Sequence, residues 1–151
     1  VEIRRPEFTV VLDTSDAVGT ADAFEEAVDV AATLAAHAVR SGLEVILRTT
    51  SRTHPGPATP IAEEGIVLDF LTPVQQTNAD DLLSVAALFL RGFDHTSVVM
   101  VTGPDGPSSR FMNLEQMLVV RIGEGATAVT GVATAAADAA EFATRWRAWE
   151  Q

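Results

Sequence analysis
Apolar residues fall in short runs, and the runs alternate with segments of helical period. Phe8-Thr9-Val10-Val11-Leu12 ends at Asp13 and reads as a buried strand. Thr14 to Thr20 is polar, contains Gly19 and predicts a loop. Between Ala21 and Ser41, Phe24, Ala27, Val28, Ala31, Leu34, Ala35 and Ala38 recur at spacings of three and four. That is the stripe of an amphipathic helix. Thr20 can cap its start, Asp22 and Glu25 suit the positive end of its dipole, and Gly42 can terminate it. Leu43 to Arg48 predicts a second strand. A helix joined to two strands by short connections predicts parallel pairing.

Thr49 to Pro60 carries Pro55, Gly56, Pro57 and Pro60 and reads as a solvated loop. Ile61 to Val74 predicts a helix through Ile61, Val67, Leu68 and Leu71, weakened by Gly65. A second clear helix is expected over Ala79 to Arg91, with Leu82, Leu83, Ala86 and Phe89 inward. Ser97 to Thr102 is apolar throughout, as central parallel strands are. Gly103-Pro104-Asp105-Gly106-Pro107 is a turn. A short helix over Ser109 to Met117, a strand over Leu118 to Ile122 and a turn over Gly123 to Gly125 follow. Thr127 to Val132 reads as an edge strand and Ala135 to Trp149 as a terminal helix. On that helix Phe142, Trp146 and Trp149 form a stripe expected to pack on the sheet, unless one Trp faces a partner.

The order predicts one α/β domain over residues 1–151, an open, mostly parallel, Rossmann-like sheet with helices on both faces. Ligands of such sheets sit beyond the carboxyl ends of the strands. Polar residues gather at each of those ends. They are Asp13-Thr14-Ser15-Asp16, Thr49-Thr50-Ser51, Thr77-Asn78 and Thr102 with Asp105.

Composition narrows what this rim can do. The 151 residues hold 21 Asp plus Glu against 10 basic residues, all Arg, for a net charge of −11. That balance argues against nucleic-acid or anionic-membrane partners and toward a basic protein surface. Absence of Lys removes phosphate-binding and Schiff-base lysines; absence of Cys removes thiolate chemistry. No apolar run approaches the roughly 20 residues of a membrane span. The start at Val1 reads as a domain cut from a longer protein or as a processed one, and the Ala and Arg excess without Lys matches a GC-rich genome.

Catalytic patterns are weak. Asp13 after the first strand invites a hydrolase or phosphotransferase reading, but Ser15 stands where an acid-x-acid motif needs a carboxylate. No G-x-S-x-G pentapeptide occurs, and no glycine-rich dinucleotide loop follows the first strand. His37, His54 and His95 read as surface or boundary residues. A binding site fits better. Asp13-Thr14-Ser15 matches the D-x-S start of a metal-ion-dependent adhesion site. Hard divalent cations such as Mg²⁺ or Mn²⁺ take carboxylate and hydroxyl oxygens of this kind. Thr77 stands like the threonine of the second loop of such a site, and Thr102 precedes the third.

The ordered series then resembles a family. It comprises Val10 to Thr14, Phe24 to Val28, Ala31 to Ala35, Gly42 to Thr50 and Leu68 to Leu71. Thr77 to Leu82, Val98 to Gly103 and Ala139 to Trp146 complete it. Over nearly its whole length the chain is similar to the C-terminal part of the "domain of unknown function 58" family. These are von Willebrand factor A-like proteins found alongside MoxR-type AAA+ ATPases. The resemblance implies a von Willebrand factor A-like fold and a membrane-anchored parent whose domain faces the cytoplasm. It also implies a role as an adaptor or assembly factor working with the ATPase, and the chain is read as acting by protein–protein interaction and not by catalysis. The adhesion site is reduced: Ala17 stands where D-x-S-x-S has its second serine, and Gly103 where the third loop has an aspartate. Asp16 or Asp105 is left to compensate. The candidate rim is therefore Asp13, Ser15, Asp16, Thr77, Thr102 and Asp105.

Overall fold
Strand β1 (Glu7–Leu12) forms where the first apolar run lies, and its last four residues are buried. A computed structural model describes residues 7–14, 20–50, 56–57, 59–76, 97–104, 117–126 and 133–150. The other elements are α1 (Ala21–Arg40), β2 (Glu44–Thr49), α2 (Glu64–Leu71), β3 (Ser97–Thr102), β4 (Met117–Ile122), β5 (Ala133–Ala136) and α3 (Ala139–Glu150). The five strands form one sheet in the order β2-β1-β3-β4-β5. Every pairing is parallel. This is an α/β fold of Rossmann-like class.

The period-two pleat sorts the strands into two faces. Val10, Leu12, Val45, Leu47, Val99, Val101, Val120 and Ile122 point to the first face and share one core with the described helices. Onto them α1 lays Phe24, Ala27, Val30, Ala31, Leu34, Ala35 and Ala38. Val30 replaces the expected Val28 in the buried stripe; Val28 is half-buried at its edge. The many alanines bring the α1 backbone close to the sheet. Val67 and Leu71 of α2 and Phe142 of α3 complete that core. The second face, with Thr9, Val11, Val98, Met100 and Val119, is buried as well. The helices expected over 79–91 and 109–116 lie outside the described residues. Met117, assigned to the second of these, instead opens β4.

Local chemistry explains the element ends. The Thr20 side chain accepts from the Ala23 N–H at 3.1 Å and caps α1 as expected. Two sequence expectations are corrected. Ile61 belongs to no helix: it makes an isolated antiparallel bridge with Val45, N–H to carbonyl in both directions at 2.7 and 2.9 Å. It thus covers the outer edge of β2, and α2 begins only at Glu64. The terminal helix starts at Ala139, because Ala135 and Ala136 pair with Arg121 and Ile122 of β4. Asp138 then caps α3, accepting from the Glu141 N–H at 2.8 Å, while the Glu141 carboxylate reaches back to the Ala137 N–H at 3.3 Å. The edge strand expected at 127–132 lies outside the described residues, as do the side chains of Trp146 and Trp149.

Candidate functional site
The strand order places β1 between β2 and β3, so the connection after β1 runs toward one edge of the sheet and the connection after β3 toward the other. The crevice between β1 and β3 is the topological switch point, where open α/β sheets bind ligands. Two of the six expected rim residues meet there. Leu12 pairs in register with Val101, so Asp13 and Thr102 follow side by side. The Asp13 N–H donates to the Val101 carbonyl at 2.8 Å, which carries the pairing one residue past the strand. The Thr102 hydroxyl donates to Oδ2 of Asp13 at 2.7 Å. Both side chains are fully buried.

A buried carboxylate requires donors to replace water. A 2.7 Å O–H···O bond to a carboxylate is charge-assisted and contributes about 1.5–3 kcal/mol. Every buried side-chain nitrogen and oxygen among the described residues has a partner.

A second polar pair continues the rim on the other side of β1. The Thr50 N–H donates to the Leu12 carbonyl at 3.1 Å. Thr50 Oγ1 accepts from the Thr14 N–H at 2.9 Å, and the two hydroxyls lie 2.9 Å apart. Thr14 and Thr50 are buried. Sequence reasoning noted both as rim residues but did not pair them; the signal was the Thr49-Thr50 dipeptide ending the strand that pairs with β1. Arg121 was missed altogether. It pairs in register with Thr102, so Asp13, Thr102 and Arg121 occupy one row across β1, β3 and β4. An Arg inside the apolar run Leu118 to Ile122 was its signal.

The rim is fixed from the β4 side by close backbone packing. Gly123 has φ +140°, and a Cβ there would stand 2.5 Å from Cγ of Pro104. The segments leaving β3 and β4 therefore touch just beyond Thr102. Ser15, Asp16, Thr77 and Asp105 lie outside the described residues.

The described donors are one carboxylate and a set of hydroxyls, hard oxygen ligands of the type Mg²⁺ and Mn²⁺ prefer. They are few. Among the described residues no group of three or more His, Cys, Asp or Glu is arranged to hold a metal. The Thr102–Asp13 hydrogen bond clasps the ends of β1 and β3 together through Oδ2 of the carboxylate. No helix among the described residues is long and apolar enough to cross a membrane.

Comparison with protein-family models and with curated protein sequences finds no match.

Proposed function
We propose that the chain is a protein-interaction domain of von Willebrand factor A-like type, with a reduced adhesion site at its strand-end rim. In this reading it works as an adaptor for a MoxR-type AAA+ ATPase, within a parent held at the cytoplasmic face of the membrane. The observation that carries the reading is the hydrogen bond from Thr102 to Asp13 across the switch point. The aspartate closing β1 is the first oxygen-bearing position the adhesion motif calls for, and the threonine beside it ends the strand that leads into the motif's third loop. Their mutual hydrogen bond is what a site that has lost ligands retains: a network holding the loop origins in place.

The test is association with a purified MoxR-type ATPase from the same genome, followed by calorimetry in the nucleotide-free, ADP and ATP states. Saturable binding is expected in at least one state. It should weaken about tenfold or more in Asp13→Ala and less in Asp13→Asn, which keeps an acceptor for Thr102. No association in any state overturns the adaptor reading. Melting with millimolar Mg²⁺ or Mn²⁺ tests the ion separately. A rise in Tm that Asp13→Ala abolishes assigns a metal to the rim, and an unchanged Tm assigns it a metal-free contact.

A further inference from the structure
Away from the rim, α1 and α2 pack antiparallel. Arg40 at the end of α1 pairs with Glu64 at the start of α2, Nε to Oε1 at 3.1 Å. At the other end of this pair the helices part and leave a cleft of about 240 Å³. Its floor is apolar: Val28, Ala32, Leu71 and Val74. Leu68 forms a wall and is 53 % exposed, and Ile66 nearby on α2 is 44 % exposed. Glu25 and Asp29 stand on the rim, one helical turn apart, and among the described residues no basic one lines the cleft.

We propose that this cleft docks a short amphipathic helix of a partner protein. One Leu-, Ile-, Met- or Phe-class side chain enters the cleft, and two Arg or Lys one turn apart meet Glu25 and Asp29. Three observations select this occupant. The cleft is smaller than the roughly 300–1,000 Å³ of small-molecule sites, so it suits one or two side chains. Carboxylates four residues apart on α1 set a spacing that a second helix reproduces with its own i and i+4 positions. A second copy of this chain would bring the same two carboxylates and a net charge of −11, which repels self-docking. Helix-in-groove recognition of this kind places the affinity in the apolar anchor and the selectivity in the charged rim. The inference stands apart from the rim reading, because the variants that test it leave Asp13 and Thr102 intact.

The probe is a labelled pool of short helical peptides, each with one Leu, Ile, Met or Phe between two Arg placed one turn apart. Fluorescence anisotropy should report saturable binding to the full chain. Leu68→Ser and Asp29→Arg, both at exposed positions, should each weaken it about tenfold or more. Glu124→Arg, an exposed charge reversal on the turn after β4, should not. A pool with Glu in place of Arg should bind Asp29→Arg better than it binds the native chain. Absence of binding at millimolar peptide overturns the proposal, as does equal binding by Leu68→Ser, Asp29→Arg and the native chain. Sedimentation showing a dimer that Leu68→Ser dissociates assigns the cleft to a second copy, and also overturns it.

Discussion
At the scale of single residues, the rim depends on hydroxyl groups that cannot be exchanged for methyl groups. Thr102→Val keeps the shape of the side chain and removes the donor that reaches Asp13 at 2.7 Å. The carboxylate stays buried with one hydrogen bond fewer, so stability should fall by about 2 kcal/mol. Thr102→Ser keeps the hydroxyl, loses one methyl group and should cost only about 1 kcal/mol. Urea unfolding separates the two: the midpoints should rank native, Ser, Val, with an unchanged slope. A Val variant as stable as the Ser variant would show that the hydroxyl does not support the carboxylate. Each partner was legible by itself in the sequence, because each ends an apolar run. That Asp13 touches Thr102 was not, since 89 residues separate them and only the adjacency of β1 and β3 brings them together. Arg121 was hidden for the same reason: its place beside Thr102 is a property of register.

At the scale of elements, the outer edge of β2 is covered in part by residues downstream of it. An open strand edge is a template for aggregation. Val45 spends its outward N–H and carbonyl on Ile61, and Arg48 donates through Nη1 to the carbonyls of Leu47 and Pro57. Partial burial lowers the Arg48 pKa from its ordinary value by desolvation. Gly56 makes this approach possible: its φ is +131°, and a Cβ would stand 2.1 Å from the Leu47 carbonyl oxygen. Gly56→Ala should therefore lift the segment and cost about 1–3 kcal/mol. Hydrogen exchange should then accelerate at the Val45 and Ile61 amides while the Val10 amide in β1 stays protected. Unchanged protection at Val45 would refute the idea that Gly56 holds the cover down. The Ile61 bridge explains why the sequence reading overran at α2: an apolar residue at helical spacing was used for edge pairing. At the C-terminal end, the run from Ala133 to Ala136 has a helical composition, yet it pairs with β4. Tertiary pairing overrode intrinsic preference there. The stop signal was Asp138, which caps α3. Asp138→Ala should lower Tm by about 3 °C, from a cap worth about 1 kcal/mol, as read by calorimetry. Strands β1 and β3 and helix α1 were legible throughout, because their burial is continuous or strictly periodic.

At the scale of the whole molecule, the charge imbalance acts in two directions. Twenty-one carboxylates against ten guanidinium groups repel one another across a small domain. The Arg40–Glu64 pair offsets little of this, because both side chains are well exposed, at 61 % and 43 %. Added NaCl shortens the screening length from about 30 Å at 0.01 M to about 3 Å at 1 M. The self-repulsion then weakens, and the folded state, which holds the charges closest together, gains most. Tm should rise by a few degrees, roughly, between low salt and 0.5 M NaCl. Chloride is the salt to use, since sulfate strengthens apolar burial whatever the charge. The same screening should weaken capture of a basic peptide at Glu25 and Asp29, because that contact is an attraction between exposed charges. One titration thus yields opposite signs, a more stable fold and a looser complex. A Tm that falls with salt would mean that local ion pairs outweigh net repulsion. A peptide affinity that salt leaves unchanged would mean that the cleft holds its occupant by the apolar floor alone, with Glu25 and Asp29 as bystanders.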